Sequence, residues 1–100
     1  MLGPEAPPPD PVVWRLGPAL DRADIPELCR RLETLLDVVD EVVVFDVSGI
    51  LRPDAVTVDT LAHLHVAARR RGRHILVTGA SPQLLLLLSL IGLGGALPLA

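Results

Sequence analysis

The sequence predicts an α/β fold, a sheet of mainly parallel strands with helices packed against it. Three observations lead there. Short β-branched runs alternate with helix-patterned stretches in the order strand–helix–strand–helix–strand–helix, which calls for parallel neighbours joined by right-handed crossovers. The middle run, Val42 to Val47, has almost no polar position, so it suits a central strand covered on both faces. The chain has 100 residues, enough for one core and too few for two.

Each element carries its own signals. Val12 to Leu16 reads as a short strand, stopped by Gly17-Pro18. A helix follows, with Asp24 as cap, Pro26 in the first turn and Glu27 at the capping-box spacing. Ile25, Leu28, Leu32, Leu35 and Leu36 recur at helical spacing. After the central strand, Asp54 is the expected cap of a second helix from about Ala55 to Arg71. Its end is marked by Arg69, Arg70 and Arg71, whose charge suits the C-terminal dipole, and by Gly72 beyond them. His74 to Thr78 reads as another strand. Ser81 and Pro82 then form the cap and first turn of a third helix reaching about Ile91.

Composition narrows the function classes. Half of the residues are apolar but only Trp14 and Phe45 are aromatic, so the core is expected from Val, Leu, Ile and Ala. A net charge of −3 gives no global attraction to nucleic acid or anionic membrane. Cys29 is the only cysteine, which excludes an intramolecular disulfide and a cysteine metal cluster; its place in a helical pattern suits a structural thiol. Residues 1–11 lack the basic and apolar regions of a signal peptide. They read as a disordered proline-rich tail before a domain at 12–100, and a cytoplasmic location is expected.

Set in order, these elements resemble the STAS domain family of bacterial anti-sigma factor antagonists. The register runs through "DVSG" (Asp46 to Gly49) at a strand end, Gly72 as helix terminator, Ser81-Pro82, and "IGL" from Ile91 to Leu93. The resemblance implies a sheet of about four strands and a non-enzymatic domain that works by protein binding. It implies regulation of transcription or signalling, with an anti-sigma factor or kinase-like protein as partner. Where the family writes D-S-S-G-L, this chain has "DAVTV", Asp54 to Val58. Val56 takes the place of the phosphorylated serine and has no hydroxyl, so the usual phosphoserine switch is not expected. Asp54, Ala55, Val56, Thr57 and Thr60 are the positions that the resemblance assigns to the partner surface. The alternative is a structural subunit bracing the ATPase of a lipid-transport ABC transporter, a role that needs no phosphorylation.

Other chemistry is thinly supported. Thr57 is the nearest remaining hydroxyl and the phosphorylation candidate, ahead of Ser48 and Thr60, because a helix N-terminus favours a phosphate. Threonine is equally at home there as a local hydrogen-bonding residue. Asp46 and Asp54 flank the connection at the carboxyl ends of the strands, where α/β folds bind ligands, yet no nucleophile or phosphate loop accompanies them. His63 and His65 are two apart and point to different sides of a helix, and His74 begins a strand, so no metal site or cofactor is expected. Arg69, Arg70, Arg71 and Arg73 form a basic cluster without interleaved aromatics; it reads as a solvated helix end rather than a nucleic-acid surface.

The third helix is anomalous. Leu84, Leu87, Leu88 and Ile91 fall at i, i+3, i+4 and i+7, the stripe expected on the sheet. Leu85, Leu86 and Leu90 are left over. Together with Leu93 they would form an exposed apolar patch, expected to be an interface and a route to a homodimer. No charge occurs from Ile75 to Ala100, but a membrane span needs about 20 continuous residues. Gly79, Ser81-Pro82 and the glycines after Ile91 break the stretch, so no span is expected.

Overall fold

The computed structural model describes residues 11–92. The expected N-terminal tail, apart from Pro11, and the interface residue Leu93 lie outside the described residues. Three strands form a parallel sheet: β1 (Val12–Arg15), β2 (Val43–Asp46) and β3 (Ile75–Thr78), in the order β1-β2-β3. Three helices accompany them: α1 (Ile25–Val38), α2 (Ala55–Arg70) and α3 (Pro82–Leu90). The expectation of about four strands is reduced to three among the described residues, for no further strand borders β1 or β3 there.

Register places Val12, Val43 and Ile75 in one row across the sheet, and Trp14, Phe45 and Val77 in another. β2 is central, as its unbroken apolar run requires, with Val43, Val44 and Phe45 all buried. Right-handed crossovers in a β1-β2-β3 sheet put α1 and α2 on the same face, and these two helices pack on each other. The core joins Leu32 and Leu36 of α1, Leu61 and Leu64 of α2, and Leu84 and Leu88 of α3 to Phe45. Trp14 stacks obliquely on Phe45 at 5.2 Å, and the Arg31 guanidinium lies 4.8 Å from the Trp14 ring.

Local capping departs from expectation once. Asp24 makes no side-chain cap bond. A short 3-10 turn, Arg22–Asp24, precedes α1, and Asp21 caps it by accepting from the Ala23 N–H. Asp24 is already in a helical conformation (φ −87°, ψ −13°), so its carboxylate does not turn back to the orphan donors. The other two caps form as the sequence predicts. Asp54 caps α2 and Ser81 caps α3 by accepting from the Leu84 N–H.

Two further corrections concern helix ends. Ile91 leaves the core stripe and is 55% exposed, because α3 stops at Leu90 and Ile91 turns off the helix at φ −99°, ψ 4°. The basic cluster is not simply a solvated helix end. Arg73 reaches from beyond α2 to the carbonyls of Leu36, Val39 and Glu41, at 3.1, 2.9 and 3.0 Å. It thereby satisfies carbonyls left over at the end of α1. Arg71, at the end of α2, pairs with Asp37 of α1.

Candidate functional site

The carboxyl ends of β2 and β3 and the start of α2 make one edge of the molecule. Asp46 ends β2, and its Oδ1 accepts from the Ser48 N–H at 2.9 Å. Ser48, through its hydroxyl first and this N–H second, holds the Asp46 carboxyl below its ordinary value, with Arg15 Nε 3.7 Å away as a lesser cause. The loop after β3 closes against this turn. Gly79 has φ +76°, and a Cβ there would lie 2.8 Å from the Ser48 Cβ and 3.0 Å from Asp46 Oδ1.

Six residues beyond the Asp46–Ser48 turn, Asp54 forms a reciprocal capping box. Its Oδ1 accepts from the Thr57 N–H at 3.0 Å, while the Asp54 N–H donates to Thr57 Oγ1 at 3.3 Å. The Thr57 hydroxyl also lies 3.2 Å from Asp54 Oδ1. These bonds from Thr57 lower the Asp54 carboxyl below its ordinary value. Each of the two carboxylates is therefore engaged by its own turn, and no hydrogen bond links them. Among the described residues, no three or more of His, Cys, Asp and Glu come together as a metal group.

The expected partner residues divide by orientation. Asp54 and Ala55 are exposed and Val56 is half-buried, whereas Thr57 and Thr60 are buried. The Thr60 hydroxyl donates to the Val56 carbonyl at 2.7 Å. Of the hydroxyls considered from the sequence, only Ser48 is exposed. His63 is exposed with its Nδ1 2.8 Å from the Asp59 carbonyl. His65 is half-buried, and its buried Nδ1 has no hydrogen-bond partner; burial lowers its pKa, helped by Arg69 and His74. Cys29 is half-buried, and burial pushes its thiol up, away from the thiolate.

Leu85, Leu86 and Leu90 are exposed to 41%, 61% and 73%, and Ile91 joins them. A groove of about 390 Å³ connects this helix to the start of α2, floored by Ala55, Val58, Ala62, Leu87, Leu90 and Ile91. Ala55 of the α2 start and Leu90 of the expected apolar patch both line this groove, while Leu85 and Leu86 are not among its lining residues. Sequence reasoning missed Leu51, which is 81% exposed beside the α2 cap. Its signal was legible: Ile50 and Leu51 are adjacent apolar residues in a turn, and only Ile50 is buried.

Comparison with known proteins bears on what this edge belongs to. The family model described as "Mlab, STAS domain" matches residues 6–99. The chain belongs to the STAS domain family. No curated protein matches it significantly. Among solved structures, this STAS domain is similar to a serine-to-glutamate variant of RsbS from Moorella thermoacetica, with a TM-score of 0.70 and 21% identity. The match covers 88% of this chain and 76% of that one. At that identity the likeness supports the fold, an α/β domain of parallel strands and helices. No helix of the STAS domain, among the described residues, is long and apolar enough to cross a membrane.

Proposed function

We propose that this STAS domain is a non-enzymatic protein-interaction module, an anti-sigma factor antagonist-like regulator of transcription or signalling that lacks the phosphoserine switch. The observation that carries the reading is the first turn of α2. With the loop before it and the turn after it, it presents Leu51, Asp54 and Ala55 to solvent and turns the hydroxyls of Thr57 and Thr60 inward. Val56 supplies no hydroxyl, and Thr57 is 2% exposed and committed to the capping box. A kinase therefore finds no acceptor on this turn while the domain is folded. An anti-sigma factor or a kinase-like protein is the partner that fits this reading, met at the α2 start and along the groove to α3.

The test is co-purification of untagged partners from the native cell, with the full chain as bait. An anti-sigma factor or kinase-like protein is expected, and Leu51→Asp or Ala55→Arg should release it without lowering the unfolding midpoint. Incubation with a cognate serine kinase followed by mass spectrometry should find Thr57 unmodified; phosphate on Thr57 would overturn the switchless reading.

The missing serine also favours a second role, a structural subunit bracing the ATPase of a lipid-transport ABC transporter, for which no switch is needed. Recovery of an ATPase instead of an anti-sigma factor would select it. Self-association through Leu85, Leu86, Leu90 and Leu93 is part of the first reading, because a helix without charge pairs with its own copy at no electrostatic penalty.

A further inference from the structure

The opposite flank of the molecule carries a second, independent feature. β1 is the outermost strand on its side of the sheet among the described residues. Val12 and Leu16 donate their N–H groups to Val42 and Asp46 of the β2 segment. Alternation along a strand then turns the N–H and C=O groups of Val13 and Arg15 away from β2, toward the open edge. Such an edge is a template for another strand.

Beside that edge lies a groove of about 640 Å³ between β1 and α1. Its apolar lining includes Val13, 56% exposed, and Val38, 77% exposed, with half-buried Leu35 between α1 turns. Arg15, Arg30 and Arg31 border it against a single carboxylate, Glu27. Glu27 is committed to Arg30 and Arg15 lies 3.7 Å from Asp46, so Arg31, resting on Trp14, is the arginine of the three with no carboxylate partner among the described residues. The site thus combines ladder groups unused among the described residues, an apolar slot and a net positive rim.

We propose that the β1 edge takes up an extended segment of a partner protein as an added strand, one alternating aliphatic with acidic side chains. The ladder supplies main-chain hydrogen bonds, the slot takes the aliphatic side chains, and the arginines select acidic ones. Two other occupants fit less well. A second copy pairing edge to edge would bring Arg15, Arg30 and Arg31 of both chains together, and like charges across a ladder are unfavourable. The chain's own first residues include Pro4, Pro7, Pro8 and Pro9, which have no N–H to donate to a ladder.

The experiment uses the full chain, isotope-labelled for NMR, titrated with a blocked eight-residue peptide alternating valine and glutamate. Saturable shifts are expected at the amides of Val13 and Arg15. Methylating alternate amide nitrogens of the peptide should weaken binding at least ~10-fold, the loss of one or two ladder bonds. Arg31→Glu should weaken it several-fold at low salt and favour a valine–lysine peptide instead. Val13→Pro should abolish it; if that variant misfolds, the methylated peptide and Arg31→Glu still decide. Shifts confined to α3, equal binding of the methylated peptide, or no saturation would overturn the proposal. So would slow hydrogen exchange of the Val13 and Arg15 amides in the free chain, which would mean that the edge is already paired.

Discussion

Arg73 shows how much one side chain can bind together at a distance in sequence. From the turn after α2 it spreads over three carbonyls at the end of α1 and the entry to β2. A guanidinium has donors enough for this fan, while an ammonium is a point charge. Arg73→Ala is expected to cost about 2 kcal/mol in denaturant unfolding, the range of hydrogen bonds to a charged group. Arg73→Lys should recover only part. At Gly79, positive φ and the closeness of Ser48 act together. Gly79→Ala should lower stability by at least about 1–2 kcal/mol, the left-handed penalty alone, and an unchanged midpoint would remove this account of how the loops meet. The Arg73 fan was not legible from the sequence, where four nearby arginines read as one solvated cluster. Local charge density reveals nothing about carbonyls 32 to 37 residues away.

At the scale of elements, starts were easier to read than ends. Asp54 and Ser81 cap their helices because a cap needs only a short side chain and N–H groups two or three residues on. Asp24 failed because the preceding 3-10 turn had already wound the chain, a matter of backbone geometry. The end of α3 likewise depends on where winding stops, and Ile91 fell outside the helix that sequence spacing extended to it. Within α3 the two faces should respond oppositely. Leu88→Ala, in the core, is expected to cost about 2–5 kcal/mol. Leu86→Glu, 61% exposed, should change stability by less than about 0.5 kcal/mol and reduce self-association measured by light scattering. A native chain that stays monomeric at high concentration would end the homodimer reading.

For the whole molecule, the titrating groups set an acid profile in two windows. His65 has a lowered pKa in the fold, so the unfolded chain takes up its proton first. Stability should therefore fall as pH drops through the ordinary imidazole range, until the folded value is reached. Asp46 and Asp54 also have lowered values, and their contribution is present above the ordinary carboxylate range. It is lost as pH falls through their folded values. Unfolding midpoints followed from neutral to strongly acid pH should show both declines. His65→Leu should remove the first only, and Asp54→Asn should reduce the second. A midpoint insensitive to pH between neutrality and the carboxylate range would contradict the environment assigned to His65.

By itself the sequence determined the α/β class, the central place of β2, the three helix starts with two of their side-chain caps, and the absence of a serine at the family's switch position. All of these are local, resting on side-chain type, periodicity of apolar residues and cap spacing within a few residues. Tertiary structure alone decided which residues face solvent. It turned Thr57 and Thr60 inward, exposed Leu51 and Ile91, drew Ala55, Leu87 and Leu90 into one groove, and, among the described residues, left the outer edge of β1 without a neighbouring strand beside an apolar slot. Exposure depends on what packs against a residue from elsewhere in the chain, and a strand edge is open or closed only once the order of the sheet is set.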